Sequence, residues 1–203
     1  DGQIQYENYF GYRDEENQLP ITRDTIFGMA SVTKSFTALA IMQMQKDGLL
    51  SVDDPVSKYV PEFTNKNLKE PVQLWHLMCH SGGFFPLPRI VIDKTAQEMG
   101  IEDSLDNELI YREDFAEEGV RRVAERLDEQ TRFTGRPGQR LSYCNDGFGL
   151  LSDIVRRHSG YGSFAEYLDK KYKIILYPVF VKAADEHGQA VGEAEIYAER
   201  RRG

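Results

Sequence analysis

One lysine constrains this chain more than any other feature, because it stands where elementary helix physics disfavours it. Ser31-Val32-Thr33-Lys34 opens a segment that is apolar on every side, through Phe36, Leu39, Ala40, Ile41, Met42 and Met44. The run predicts a helix from Ser31 to Lys46, buried all round and stopped at Gly48. A cation in the first turn opposes the helix macrodipole, and a solvated charge is out of place ahead of an apolar run. Local rules are broken at one spot, and such breaks concentrate where function sits.

Ser31 and Lys34 are three residues apart, so on a helix they share a face and the hydroxyl can meet the amine. The free N–H groups of the helix N-terminus, with their positive potential, lie beside both. A serine hydroxyl is a weak nucleophile until a base takes its proton. A lysine becomes that base when burial lowers its pKa from about 10.4 toward about 7 or 8. The expectation is therefore Ser31 as nucleophile and Lys34 as general base in a water-poor pocket. Taken alone, Ser-x-x-Lys reads more readily as a helix cap followed by a surface lysine. The apolar helix behind it reverses that preference.

Composition narrows the setting. With 203 residues, one domain or one and a fragment is expected, and 40% hydrophobic residues suffice for a core. Lys and Arg number 25 against 33 Asp and Glu, a net charge of −8 that repels phosphate backbones and anionic headgroups, so nucleic acid is a poor partner. The apolar stretch around Phe36 to Met44 falls short of the roughly 20 residues that span a bilayer, so no membrane span is expected. The first residue is Asp1 and no basic-then-apolar leader follows, which points to a removed leader or a start inside the gene. Cys79 and Cys144 are too few for a disulfide framework, although one bridge between them stays open.

Other elements follow from pattern. Gln3 to Tyr12 alternates in the manner of a strand and turns at Asp14 to Asn17. Asp54 ahead of Pro55 reads as the cap of a short helix to about Tyr59, which explains it better than a catalytic pairing with Asp53. Val72 to His80 is short and mostly apolar, Phe84 to Gly100 reads as irregular, and Glu98 to Glu108 as an acidic surface. Ala116, Val120, Val123 and Leu127 mark an amphipathic helix with acids early and arginines late. Phe148, Leu151, Ile154 and Val155 mark another, closed by Arg156, Arg157, His158 and Gly160, which puts Tyr143-Cys144-Asn145 on a loop at a helix start. His76 and His80 flank Cys79 at a zinc-like spacing, but with no acidic partner they read as structural histidines, so no metal is expected.

With these segments placed, the sequence resembles the penicillin-recognising serine hydrolases, in particular the branch of class C β-lactamases, D,D-peptidases, esterases and D-aminopeptidases. The resemblance runs from about Tyr9 to about Tyr172. It rests on five ordered matches: Asp24-Thr25-Ile26-Phe27, Ser31 to Thr37, Gly48 to Val56, His76 to Gly83, and Pro137-Gly138 leading into Tyr143-Cys144-Asn145. It implies Ser31 as the acylated nucleophile, Lys34 as its base, Tyr143 as proton carrier to the leaving group and from the deacylating water, and Asn145 as a hydrogen-bond partner of the substrate amide. It implies an α/β (α+β) fold of the β-lactamase/transpeptidase type, an antiparallel sheet against an all-helical region, here incomplete at both ends. Residues 1–172 would form the partial hydrolase domain, and 173–203 an atypical tail with a hairpin around Tyr177 to Tyr197. No cofactor is required, the partner is a small-molecule or peptide substrate, and the location leans toward the bacterial envelope.

One family element is missing. The third motif, Lys-Thr-Gly or His-x-Gly on a strand, lines the site and adds an oxyanion donor to the Ser31 N–H, and His187-Gly188 does not fit it. Losing one such donor lowers the rate about 10²- to 10³-fold. A fragment of a longer enzyme is the expected explanation, a crippled relative the alternative. Three functions stay in view: a hydrolase of a β-lactam, D-amino-acid peptide or ester, a penicilloyl-binding module that releases its acyl group too slowly to turn over, and an assembly module that no acylating probe labels.

Overall fold

The computed structural model describes residues 3–25, 27, 30–100 and 113–172. They divide into two compact units, one ending at Ala30 and one beginning at Ser31.

The first unit holds a small antiparallel hairpin, β1 (Tyr12–Asp14) paired with β2 (Leu19–Pro20). Its turn is tied by the Asp14 carboxylate, which accepts from Asn17 N–H at 3.0 Å and from Asn17 Nδ2 at 2.7 Å. The strand expected over Gln3 to Tyr12 is corrected here, since among the described residues only its last residue pairs. Tyr6 and Phe10 are exposed, and alternation without a paired neighbour does not make a stable strand.

The second unit is helical. α1 (Thr33–Lys46) follows a 3₁₀ turn at Ala30–Val32 and ends where Gly48 takes a left-handed φ of 75°. It buries Thr37, Ala40, Ile41 and Met44, while Leu39 and Met42 are each 45% exposed. Burial all round is thus corrected to burial on one face, the face turned to α5 (Asn145–His158). That helix is the hub: it packs against α1, α2 (Leu74–Met78), α4 (Glu113–Asp128) and α6 (Phe164–Tyr172). Its Leu150, Leu151, Ile154 and Val155 are fully buried, each stabilising the unit by about 1.5–3 kcal/mol relative to exposure. The Asp153 carboxylate lies buried in the same helix and is neutralised by Arg156 at 2.7 Å and Arg157 at 2.6 Å, the latter reaching on to Glu62.

Two helices escape the sequence pattern. α3 (Arg89–Glu98) begins directly after Pro88, in a stretch expected to be irregular. α6 is announced by Ser163 and Glu166: the Ser163 hydroxyl accepts the Glu166 N–H at 2.9 Å, a capping pattern. Asp54 is not the cap of its 3₁₀ helix, Val56–Lys58, since Pro55 holds that position. Its carboxylate instead takes the Ser51 N–H, the Lys58 ammonium and the Tyr59 hydroxyl. Cys79 is exposed and Cys144 buried, and both are free thiols. The acidic stretch from residue 101 and the hairpin expected around Tyr177 to Tyr197 lie outside the described residues. No helix among the described residues is long and apolar enough to cross a membrane.

Candidate active site

Ser31 sits in the 3₁₀ turn and Lys34 in the first turn of α1, and Lys34 Nζ donates to Ser31 Oγ at 3.1 Å. The serine does not cap the helix: Val32 holds the cap position, with no side-chain cap bond. Ser31 Oγ is instead engaged by Lys34 and by Tyr143, whose phenol oxygen shares a 2.6 Å hydrogen bond with it across 112 residues of sequence. Ala30, just before the serine, has a left-handed φ of 43°, a conformation that a non-glycine residue holds only under constraint.

Tyr143 is brought there by backbone pairing. The loop that carries it hangs on the segment after α2: Thr134 N–H donates to Gly83 O at 2.7 Å, Gly138 N–H to Ser81 O at 2.8 Å, and Ser142 N–H to His80 O at 2.7 Å. Glycine is required at two of these crossings. Gly83 has φ 89° and a Cβ there would meet the Gly135 carbonyl oxygen at 2.9 Å. Gly138 has φ 78°, and its Cβ would lie 3.0 Å from both Trp75 and His76.

The lysine charge bears on the phenol. Lys34 Nζ lies 5.0 Å from the centre of the Tyr143 ring and 5.7 Å from that of Phe148. The lysine ammonium, with the Ser31 hydroxyl adding to it, holds the Tyr143 phenol below its ordinary range. The dry pocket expected around Lys34 is corrected by the surface: Lys34 is half-buried, and Ser31 and Tyr143 are exposed. Among the described residues the cluster is open to solvent.

Of the residues the sequence singled out, Ser31, Lys34 and Tyr143 are brought together. Asn145 is the first residue of α5 and is exposed, two positions beyond Tyr143. His76 closes α2 onto Gln73, whose N–H donates to its Nδ1 at 2.9 Å. The Cys144 thiol donates to Asp146 at 3.4 Å and is pushed up to about 12, by burial first and then by that carboxylate, so it is held neutral. His80, read from the sequence as a structural histidine within the His76 to Gly83 match, stands beside the site. Its ring lies 4.2 Å from the Tyr143 ring at 32°.

Comparisons with known proteins bear on the family and the fold. The Beta-lactamase family model matches residues 1–172. Esterase EstB of Burkholderia gladioli is 33% identical over 162 residues, 78% of this chain and 39% of its own. Teichoic acid D-alanine hydrolase of Staphylococcus aureus (strain MRSA252) is 26% identical over 184 residues, 84% of this chain and 42% of its own. The octameric penicillin-binding protein homologue from Pyrococcus abyssi superposes with a TM-score of 0.64 at 37% identity, covering 85% of this chain and 36% of that one. The chain thus spans about two fifths of the length of these relatives, and within that span it has the β-lactamase/transpeptidase fold. With the match running from residue 1 through the end of α6, this chain belongs to the beta-lactamase family.

Proposed function

We propose that this chain carries the acyl-transfer centre of a serine hydrolase, with Ser31 as the nucleophile, acting on an ester, a D-residue peptide or a β-lactam. One observation carries the reading: Ser31 Oγ is hydrogen-bonded at once to Lys34 Nζ at 3.1 Å and to the Tyr143 phenol at 2.6 Å. A hydroxyl flanked by two groups able to exchange protons is the arrangement that nucleophilic catalysis requires. Ser31 Oγ attacks the acyl carbon as its proton leaves along one of these bonds. The bond from the acyl carbon to the leaving oxygen or nitrogen then breaks, and Tyr143 delivers the proton to the leaving atom. In the second half a water attacks the acyl-Ser31 ester, gives its proton to Tyr143, and the proton returns to Ser31 Oγ.

Lys34 has two duties in this scheme. As the neutral amine it takes the Ser31 proton, and once protonated its charge keeps the phenol acidic enough to relay. Asn145, at the start of α5 and open to solvent, would bind the substrate amide. The names of the relatives, an esterase and a D-alanine hydrolase, support ester or D-alanyl substrates and, with the resemblance, a place at the bacterial envelope.

The test is labelling by a fluorophosphonate or a fluorescent penicillin, with the adduct located by peptide mass spectrometry. Labelling on Ser31 that disappears in Ser31→Ala supports the reading, and labelling that survives the substitution overturns it. Release is measured separately as hydrolysis of a chromogenic ester, because the sequence contains no Lys-Thr-Gly triplet and its two His-x-Gly triplets, His80-Ser81-Gly82 and His158-Ser159-Gly160, do not lie on strands. A stable adduct without turnover would favour the second reading, a site that acylates and holds.

A further inference from the structure

Tyr143 is 47% exposed, so the core does not hold its ring. Its oxygen is nevertheless placed at 2.6 Å from Ser31, and something must fix the phenol there. The residues on either side of it are both bonded to one residue. Ser142 N–H donates to the His80 carbonyl at 2.7 Å, and Cys144 N–H donates to His80 Nδ1 at 3.1 Å. The imidazole of the same residue lies against the Tyr143 ring, centroids 4.2 Å apart, and is backed by Phe148 at 5.0 Å.

His80 is itself constrained. Its φ is 53°, a left-handed conformation that few non-glycine residues adopt, and its N–H is tied to the Leu77 carbonyl at 3.1 Å. An Nδ1 that accepts a hydrogen bond carries no proton, so the ring is the neutral tautomer with its proton on Nε2. Burial lowers the imidazole's pKa, with the Lys34 charge acting in the same direction, which keeps that acceptor available.

We propose that His80 is the positioning residue of this site: it brackets Tyr143 through the backbone on both sides and braces the phenol against Ser31 and Lys34. This goes beyond a structural histidine, because the bracket acts on the geometry of proton relay. It rests on the acyl-transfer reading for its consequence in rate, but not for its consequence in the phenol's ionisation.

The experiment compares His80→Ala, which removes both the acceptor and the ring, with His80→Asn, which keeps an acceptor on a short side chain and tolerates the left-handed backbone. Two quantities are measured on chains whose near-ultraviolet circular dichroism matches the parent. The first is the fluorophosphonate labelling rate of Ser31, resolved into affinity and maximal rate. The second is the ionisation of Tyr143, followed by NMR on tyrosine labelled at Cζ and assigned by its loss in Tyr143→Phe. His80→Ala is expected to lower the maximal labelling rate tenfold or more with little change in affinity, and to move the Tyr143 titration upward. His80→Asn is expected to recover part of both. A parent-like labelling rate and an unmoved Tyr143 titration in His80→Ala would overturn the proposal, as would a His80→Asn variant no better than His80→Ala. If Ser31 of the parent is not labelled at all, the acyl-transfer reading fails, and the Tyr143 titration still decides the bracket.

Discussion

The phenol oxygen of Tyr143 lies 2.6 Å from Ser31 Oγ, although 112 residues separate them in the chain. Under the proposed function, that bond makes the phenol a participant in proton transfer and not a wall of the cleft. Tyr143→Phe removes one oxygen and keeps the ring. It should lower the acylation rate of Ser31 by about 10²- to 10⁴-fold, the range for loss of a general acid–base group, while the thermal midpoint stays near that of the parent. Stopped-flow labelling with a fluorescent fluorophosphonate measures this, and a Phe variant as fast as the parent would remove Tyr143 from the mechanism.

Lys34 governs how readily that phenol ionises. Its ammonium holds the Tyr143 pKa down because a nearby positive charge stabilises the phenolate. Lys34→Met removes the charge and keeps much of the side-chain length, so the phenol should titrate at higher pH, toward about 10. The NMR titration described for His80 reads this directly. A downward shift or none would mean that the lysine does not act on the phenol.

How far this site is legible in the sequence depends on the range of each contact. The pairing of Ser31 with Lys34 follows from helix spacing, because their contact is local. The meeting with Tyr143 does not, since no periodicity links residues so far apart; only the resemblance to a known family brought it in. The place of His80 beside the site is hidden for a related reason: its carbonyl takes the Ser142 N–H and its Nδ1 the Cys144 N–H, 64 residues away in the chain, and no local pattern announces contacts of that range. The amphipathic pattern of Ala116, Val120, Val123 and Leu127 falls inside α4, whereas α3 is hidden by Pro86 and Pro88, which signal irregularity and yet admit a helix starting just after them. Alternation over Gln3 to Tyr12 misled because a strand needs a paired neighbour as well as a pattern.

Two histidines, His76 buried and His80 half-buried, set a pH window for stability. Burial holds both His76 and His80 below their ordinary value of 6.5 in the folded chain. The unfolded chain therefore binds more protons as the pH falls below about 6.5, and stability that is complete above that value is lost as the pH drops through the folded pKa values. The urea midpoint should decrease between about pH 7.5 and about pH 5.5, above the range in which most carboxylates titrate. A midpoint that is flat or rises over that interval contradicts the sign.

The carboxylate of Asp153 is 1% exposed and faces Arg156 and Arg157. Removing it leaves two guanidinium groups partly buried without their shared counter-charge. Asp153→Ala should destabilise the helical unit by about 3–5 kcal/mol, the range for breaking a buried pair on one side. Urea denaturation measures this, and a loss under about 1 kcal/mol would place the pair among surface ion pairs of small effect.

Gly83 tests whether the pairing that carries Tyr143 matters to both stability and chemistry. Its φ is 89°, and an added Cβ would lie 2.9 Å from the backbone oxygen of Gly135, which cannot swing aside as a side chain could. Gly48 is the matched control, with φ 75° and nothing within 4 Å of an added Cβ. Gly48→Ala should therefore show only the left-handed backbone penalty, about 1–2 kcal/mol. Gly83→Ala should show that penalty plus the displacement of the segment that begins at Gly135 and ends at Tyr143. Because Thr134 N–H is bonded to the Gly83 carbonyl at 2.7 Å, the shift is passed into the loop bearing the phenol. The expected result is a larger loss of stability for Gly83→Ala than for Gly48→Ala, together with slower Ser31 labelling in the first variant alone. Equal losses in the two variants, or equal labelling, would show that the loop's position does not depend on this crossing.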